Sequence, residues 1–293
     1  MRILVFFSCV TIFSFSYTTV KSQEADAILY EAHYLQKHVG NKERPNDTLK
    51  EDMVLLIGER SMLFTSYDKL IYGHDVEQGI LLAHANSEPG KPFHYDPPTG
   101  KFLTMDDLYF FTDVQQHYVL DFLMDRYLFP RPYTQPEWTI ATEQKDVMGM
   151  ACQQATATYR GREWTAWFTP EIPTSEGPWQ LRGLPGLVVE AYDKTGEVSF
   201  ELTSLQSVSG DSANALDSLV ESYTTGVIAL PTDKAIKKVK ESDFLKLKQA
   251  AHADYTAYIN TRRITNGFID NYYSHSWSWR TPSYVTNPIA LTD

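Results

Sequence analysis

Residues 152–192 read CQQATATYRGREWTAWFTPEIPTSEGPWQLRGLPGLVVEAY, and the fold of the chain is decided by how this stretch is read. Arg160-Gly161 separates two runs of threonine, alanine and aromatic residues. Glycine accepts φ > 0 without steric cost, so an X-Gly pair between alternating runs signals a two-residue hairpin. That turn sets Ala157 opposite Trp164 and Ala155 opposite Ala166, and the apolar face continues through Phe168. The other face carries Cys152, Gln154, Thr156 and Thr158 against Glu163, Thr165, Trp167 and Thr169, which is mostly polar. One dry and one wet face is the pattern of an antiparallel sheet. A slip of one residue would exchange the two faces.

After Thr169 the strand pattern stops. Pro170, Pro173 and Pro178 lack an N–H and push the residues before them out of the helical region. Residues 171–179 therefore read as an ordered but irregular loop. Gly183-Leu184-Pro185-Gly186 is a turn, residues 187–192 a strand, and Asp193-Lys194-Thr195-Gly196 a second hairpin turn into residues 197–205. Proline fixes its own φ, so at least one flanking glycine is expected at φ > 0, with Leu184 entering the core beside Trp164 or Phe168. Valine at that glycine is expected to cost about 1–3 kcal/mol.

These residues resemble the GLPGLI family, here as GLPGLVV with Val188 in place of the isoleucine. The resemblance runs back through the GR-x-W-x-A-W strand and the EIP loop to Cys152 and Trp138, with a weaker echo at Asn287-Pro288-Ile289. It implies an exported protein of Bacteroidota-type bacteria with no established biochemical role. Some members are similar to the bowl-like N-terminal domain of a bacterial peptide-N-glycanase, which implies carbohydrate or protein recognition.

The ends and the charge agree with export. Arg2, an apolar run over residues 3–15 and Val20-Lys21-Ser22 read as a signal peptide over residues 1–22. That run is too short to span a bilayer, and no later segment is long enough, so the chain is not expected to span a membrane. The remaining residues, 23–293, suffice for one β-rich domain. Net charge is −11, and loss of Arg2 and Lys21 makes it −13. An acidic chain excludes nucleic acid as a partner, because phosphate binding needs a basic footprint. Beyond the leader Cys152 is the lone cysteine, so no internal disulfide is expected.

The fold expected is mainly β (α+β): a curved antiparallel sheet, bowl or half-barrel like, with one longer C-terminal helix. Residues 28–36 read as a first strand, 52–57 and 61–66 as a hairpin about Gly58-Glu59, and 138–147 as a strand entering the central hairpin. Residues 67–85 and 105–127 stay ambiguous between helix and strand. Residues 217–230 are taken as a strand. Residues 232–260 are the helix candidate, with Phe244, Leu247, Ala251, Tyr255 and Tyr258 at helical spacing and Ser242 as a cap restarting it midway.

Several residues could form a site. Cys152 could be a nucleophile or metal ligand, but no motif places a base beside it, and a small buried hydrophobe is the favoured reading. Arg160 and Arg162 could clamp a carboxylate or a sugar, or be a solvated turn whose change to alanine leaves stability nearly unaltered. The Gly177-Pro178 and Gly183–Gly186 loops could cradle a ligand, or only fold the chain sharply. The candidate surface is therefore Cys152, Arg160, Gly161, Arg162, Trp164, Trp167, Glu171, Pro173, Gly177, Pro178, Gly183, Leu184, Pro185 and Gly186. Tyr272, Tyr273, His275, Trp277, Trp279 and Tyr284 could stack on sugars or cover a sheet edge. The histidines show no ligand spacing, and His74, His84 and His94 recur by coincidence, so neither metal nor cofactor is expected. The expected function is an exported, non-enzymatic binding or assembly module for an envelope protein, peptide or glycan. The alternatives are a carrier of a hydrophobic ligand and a hydrolase using Cys152 or Glu171.

Overall fold

The computed structural model describes residues 25–46, 48–88, 95–98, 102, 104–123, 125–208, 216–254 and 289–290. The expected signal peptide and the aromatic cluster from Tyr272 to Tyr284 lie outside these residues. In chain order the elements are β1 (Asp26–Ala27), β2 (Tyr30–Val39), β3 (Thr48–Ile57), β4 (Ser61–Ser66), α1 (Tyr67–Ala85), β5 (Asp107–Phe111), β6 (Gln116–Leu123), β7 (Asp125–Arg131) and β8 (Thr139–Val147). They continue with β9 (Met150–Tyr159), β10 (Arg162–Thr169), β11 (Leu187–Asp193), β12 (Val198–Ser207), α2 (Ser218–Thr224), β13 (Val227–Ile228), β14 (Lys237–Lys238) and α3 (Glu241–Ala253).

Twelve strands form one sheet in the order β14-β7-β6-β5-β4-β3-β2-β12-β11-β10-β9-β8. Two meanders, β2 to β7 and β8 to β12, join where β12 pairs with β2. All pairs are antiparallel except the short parallel contact of β14 with β7. The sheet is not closed. It nevertheless bends, and the topology requires it. β7 and β8 stand ten strand positions apart, about 48 Å in a flat sheet. Residues 132–138 join them, and even fully extended they reach only about 29 Å. The interior reports the same bend. Phe64 of β4 and Phe200 of β12 are three positions apart, yet their ring centroids are 6.2 Å apart.

Hydrophobic cores fill both faces. One holds Tyr34, Phe64, Phe110, Phe129, Trp164, Phe168 and Phe200, with Phe244 and Ala251 of α3. The other holds Val54, Leu56, Leu63, Tyr109 and Leu120, covered by Leu70 of α1 and Val220 of α2. Strands between two cores bury nearly every side chain: all of β4 and β5, and Met53 to Ile57 of β3. Such strands read as continuous apolar runs without alternation.

Two stretches left ambiguous by the sequence are settled by the structure, and three expectations need correcting. Residues 67–85 are a helix of 19 residues, the longest described. Ser66 caps it in extended backbone, its hydroxyl accepting from Lys69 N at 3.1 Å. Of the longer C-terminal helix expected over residues 232–260, the described residues hold only α3, Glu241–Ala253, and residues 255–260 lie outside them. Asp233 stops it from starting earlier: its carboxylate accepts from Ala235 N and its carbonyl from Ile236 N, and the chain then pairs as β14. Ser242 lies inside α3, and Lys240 at the cap makes no side-chain cap bond. Residues 217–230, expected as a strand, hold α2, with only Val227–Ile228 as strand: Asp217 caps the helix by accepting from Leu219 N, and Thr225 and Gly226, both at positive φ, end it. Residues 105–127 hold β5, β6 and the start of β7.

Candidate functional site

The central hairpin has the register read from the sequence. Ala157 pairs with Trp164 and Ala155 with Ala166 about a turn in which Arg160 and Gly161 have φ of 50° and 77°. The expected wet face is wet only near that turn. At its far end Cys152, Trp167 and Thr169 are buried. There the 171–186 loop folds back, with Glu171 accepting from Ala151 N at 2.7 Å, while Lys145 places its ammonium 4.4 Å from the Trp167 ring centre. Cys152 Sγ donates to Met150 O, and burial pushes its thiol pKa up, outweighing the pull of Lys145. The charges acting on it are Lys145, Asp146 and Glu171, with no imidazole among them.

Arg162 is not a solvated turn residue. It is 4% exposed; Nη1 donates to Asp193 Oδ2 at 2.6 Å and Glu197 Oε2 at 3.0 Å, and Nε to Ile289 O at 2.8 Å. It therefore ties the first hairpin to the second and to the C-terminal echo of the motif. Arg160 is half-buried and stands over the Tyr159 ring at 5.6 Å.

The GLPGL turn behaves as a folding element. Gly183 has φ of 97°, and a Cβ there would meet the Gln135 side chain. A Cβ on Gly186 would strike the Thr169 carbonyl, and one on Gly177 the Leu181 carbonyl. Leu184 is 1% exposed in the core that also holds Trp164 and Phe168. Pro173 and Pro185 face solvent while Pro178 is buried.

The loop does a second job that the sequence reading missed. Residues 132–138, the segment that crosses between the sheet ends, lie across it as a strap. Trp138 Nε1 donates to Arg182 O at 2.9 Å, and the Tyr159 hydroxyl bridges Thr134 O and Gln180 Oε1. Arg182 pairs with Glu176, both buried, and sits 3.5 Å from the Phe110 ring centre. Trp179, at φ of 56°, packs between Tyr159 and Trp164.

A separate cleft of about 490 Å³ lies between α1, β5–β6 and α2, away from every residue proposed from sequence. Its walls are apolar: Leu70, Tyr72 and Val76 from α1, with Phe102, Leu120 and Leu219. His74, Glu77, Asp121 and Arg126 also line it, and three other polar groups, two of them lining residues, converge on Asp107. Oδ1 accepts from Lys69 Nζ at 2.6 Å and Thr65 Oγ1 at 2.5 Å, and Oδ2 from the Tyr223 hydroxyl at 2.5 Å. Burial, then Asp107 and Tyr109, hold the Tyr223 hydroxyl well above its ordinary range, so it stays a neutral donor. Asp121, a buried lining residue, accepts from Lys248 of α3 at 3.0 Å, and burial pushes its carboxyl up. The caps at Ser66 and Asp217 were the signals that could have found α1 and α2, and with them the cleft.

A family described as a protein of unknown function (Porph_ging) matches residues 159–190, the stretch that carries the hairpin turn, the loop and the GLPGL turn. The match is to that family rather than to the GLPGLI name. Among curated proteins none matches. Two crystal forms of PNGF-II are similar. One, in space group P21, is 14% identical with a TM-score of 0.47, covering 75% of this chain and 33% of that one. The other, in C2, is 15% identical with a TM-score of 0.48, covering 75% and 32%. The chain thus spans about a third of the length of PNGF-II. Among the described residues no cluster of His, Cys, Asp and Glu could hold a metal, and no helix is long and apolar enough to cross a membrane.

Proposed function

We propose that the protein is an exported, non-enzymatic binding or assembly module of the cell envelope, resembling the GLPGLI family, in which a bowl or half-barrel sheet displays a ligand cleft. The observation that supports this is the cleft between α1, β5–β6 and α2. A concavity of about 490 Å³ with apolar walls and a few converging polar groups is the usual form of a small-ligand site. The Lys69–Asp107–Tyr223 cluster is internally satisfied, so it orients a polar end while the walls take an apolar body. Apolar walls also favour the reading as a carrier of a hydrophobic ligand. The hydrolase reading has weaker support: Cys152 is buried with a raised thiol pKa, and Glu171 is engaged by a backbone amide.

The test is native mass spectrometry of the full chain captured from its own envelope without detergent, beside the Leu219→Trp variant. Leu219 lines the cleft and is only half-buried, so tryptophan plugs the space without entering a core. The expected result is a bound species on the wild type that is lost from the variant. A species retained equally by both, or found on neither, overturns the assignment.

A further inference from the structure

The sheet ends at β8, and the ladders show what that edge leaves open. Met148 and Gly149, at φ of 54° and 81°, form the two-residue turn between β8 and β9, so Val147 and Met150 are a hydrogen-bonded pair. Bonded and non-bonded pairs alternate along an antiparallel ladder, so Asp146 and Ala151 turn their backbone groups away from each other. The Ala151 amide bears this out by donating to Glu171, which follows β10. The β9–β10 hairpin gives the same phase. Counted from the turn at Arg160-Gly161, the backbone groups of Ala155 and Gln153 face β10 and so turn away from Ile140 and Gln144. Ile140, Gln144 and Asp146 therefore point N–H and C=O out of the sheet edge, and no described strand meets them.

The edge is narrowed but not closed. Between Ile140 and Gln144 the ladder shifts, and the Gln153 side chain fills the gap by donating to Ala141 O at 2.6 Å. Past that bulge Gln144 and Asp146 stand about 6.8 Å apart along the strand, the repeat at which a neighbouring strand bonds. Both are exposed. Bulges and charged side chains are the usual guards of an edge against indiscriminate pairing. Here the guard has one sign. Lys145 turns away from the edge, to Glu190 at 2.6 Å and over the Trp167 ring. Glu143 and Asp146 stay exposed, and no described cation pairs with either. A second copy would bring the same carboxylates to a seam between two chains of net charge −11, and like charges across a ladder destabilise it. A positively charged strand would meet open backbone groups and unpaired carboxylates together.

We propose that β8 is a docking edge for an extended peptide segment bearing lysine or arginine, which adds to the sheet as a further strand at Gln144 and Asp146. Main-chain bonds give such a complex its affinity and alternate side chains its specificity. Two open positions make the contact a reversible one, and Glu143 and Asp146 select its charge. The edge lies apart from the cleft between α1, β5–β6 and α2, so neither reading depends on the other.

The test is amide hydrogen exchange of the full chain, read by NMR at Gln144 and Asp146. The probes are a short peptide of alternating lysine and valine, its glutamate–valine counterpart, and the lysine–valine peptide with methylated backbone nitrogens. The lysine–valine peptide is expected to slow exchange at both amides by about tenfold or more at saturation, and the two controls to leave it unchanged. Glu143→Lys, at an exposed and unpaired side chain, keeps the melting temperature and weakens binding by about threefold. Gln144→Pro removes an outward N–H at an edge position that accepts proline, and abolishes the protection at Asp146. No protection by the lysine–valine peptide overturns the proposal, and so does equal protection by either control. Amides already protected without any peptide overturn it as well. In a dimer, read by light scattering, the edge then belongs to a second copy, and in a monomer to another segment of the same chain. If Gln144→Pro fails to fold, Glu143→Lys alone decides, and unchanged affinity there overturns the proposal.

Discussion

Strands β8 to β12 and the region from α1 to β7 belong to one sheet, yet they carry opposite kinds of information. The first region has alternating strands, two-residue turns and a sharp glycine turn. Its motif residues mostly bury themselves to hold the fold: Trp164, Leu184 and Arg162 are at most 4% exposed. The second region has no motif, and together with α2 it supplies the cleft. The residues easiest to recognise are thus the ones that build, while the open concavity belongs to residues that sequence pattern left ambiguous. The predictions below test that division, from the largest effect to the smallest.

The largest effect is expected at Gly186. Its missing Cβ is replaced by the Thr169 and Pro170 backbone, which cannot yield without moving β10. Gly186→Val is expected to cost about 3 kcal/mol or more, from overpacking against backbone. Gly183→Val meets only the flexible Gln135 side chain, so backbone strain at φ of 97° dominates, at about 1–3 kcal/mol. Urea titrations of the purified variants rank them. If both melt like the wild type, the turn is a recognition surface and the division collapses.

Arg162→Ala is expected to cost as much as Gly186→Val, and here the structure reverses the sequence expectation of near neutrality. Removing the guanidinium leaves Asp193, 2% exposed, as a buried charge without its cation, which costs about 3–5 kcal/mol. Arg160→Ala, two residues away but half-buried, is expected to change stability by no more than about 0.5 kcal/mol. Equal losses from the two variants, measured by thermal melts, would erase the distinction between builder and surface residue.

The sequence disclosed as much as local rules control. Arg160-Gly161 fixed the hairpin register because the turn must have φ > 0 at both positions. β5 was illegible because both its faces are covered, so Asp107 to Phe111 show no alternation. α1 was illegible for a related reason. It buries only Leu70 and leaves Leu81 and Leu82 more than half exposed, so no apolar stripe marks its period. Arg162 looked solvated because Asp193 and Glu197 lie a whole hairpin away in sequence. The strap was hidden too, since nothing local tells that residues 132–138 must cross between sheet ends.

Acid separates the two carboxylate and imidazole environments. Asp193 feels burial, which raises its pKa, but bonds from Thr195, Val198 N and Arg162 prevail and hold it below the ordinary range. Its folded pKa is depressed, so its contribution is present above about pH 4 and is lost as pH falls through the folded value. His117, at about 3 in the fold against 6.5, acts earlier. Between those values the unfolded chain takes up a proton that the fold refuses. Stability therefore falls with acidification, by up to about 1.4 kcal/mol per pH unit. In His117→Phe the wild-type slope between about pH 6 and pH 4 should flatten by that amount. Chemical denaturation at several pH values reads it, and parallel slopes would place His117 in a solvated site.

A small effect is expected at Cys152, where the sequence assigned a wet face and the structure a buried one. Its Sγ bonds to a carbonyl two residues back, and the thiol is held protonated by burial. Both features slow thiolate chemistry, because the thiolate is the nucleophile. Cys152→Ala removes one sulfur atom from a packed position and should cost about 1 kcal/mol. It should leave ligand capture in the cleft unchanged, since that site lies with α1 and α2 rather than with the hairpin. In the native protein a thiol reagent should react far more slowly than after unfolding in urea. A thiol that labels at the same rate in both states would mean that the 171–186 loop opens freely. The builder region would then be mobile at the very end where Trp167 and Thr169 are buried.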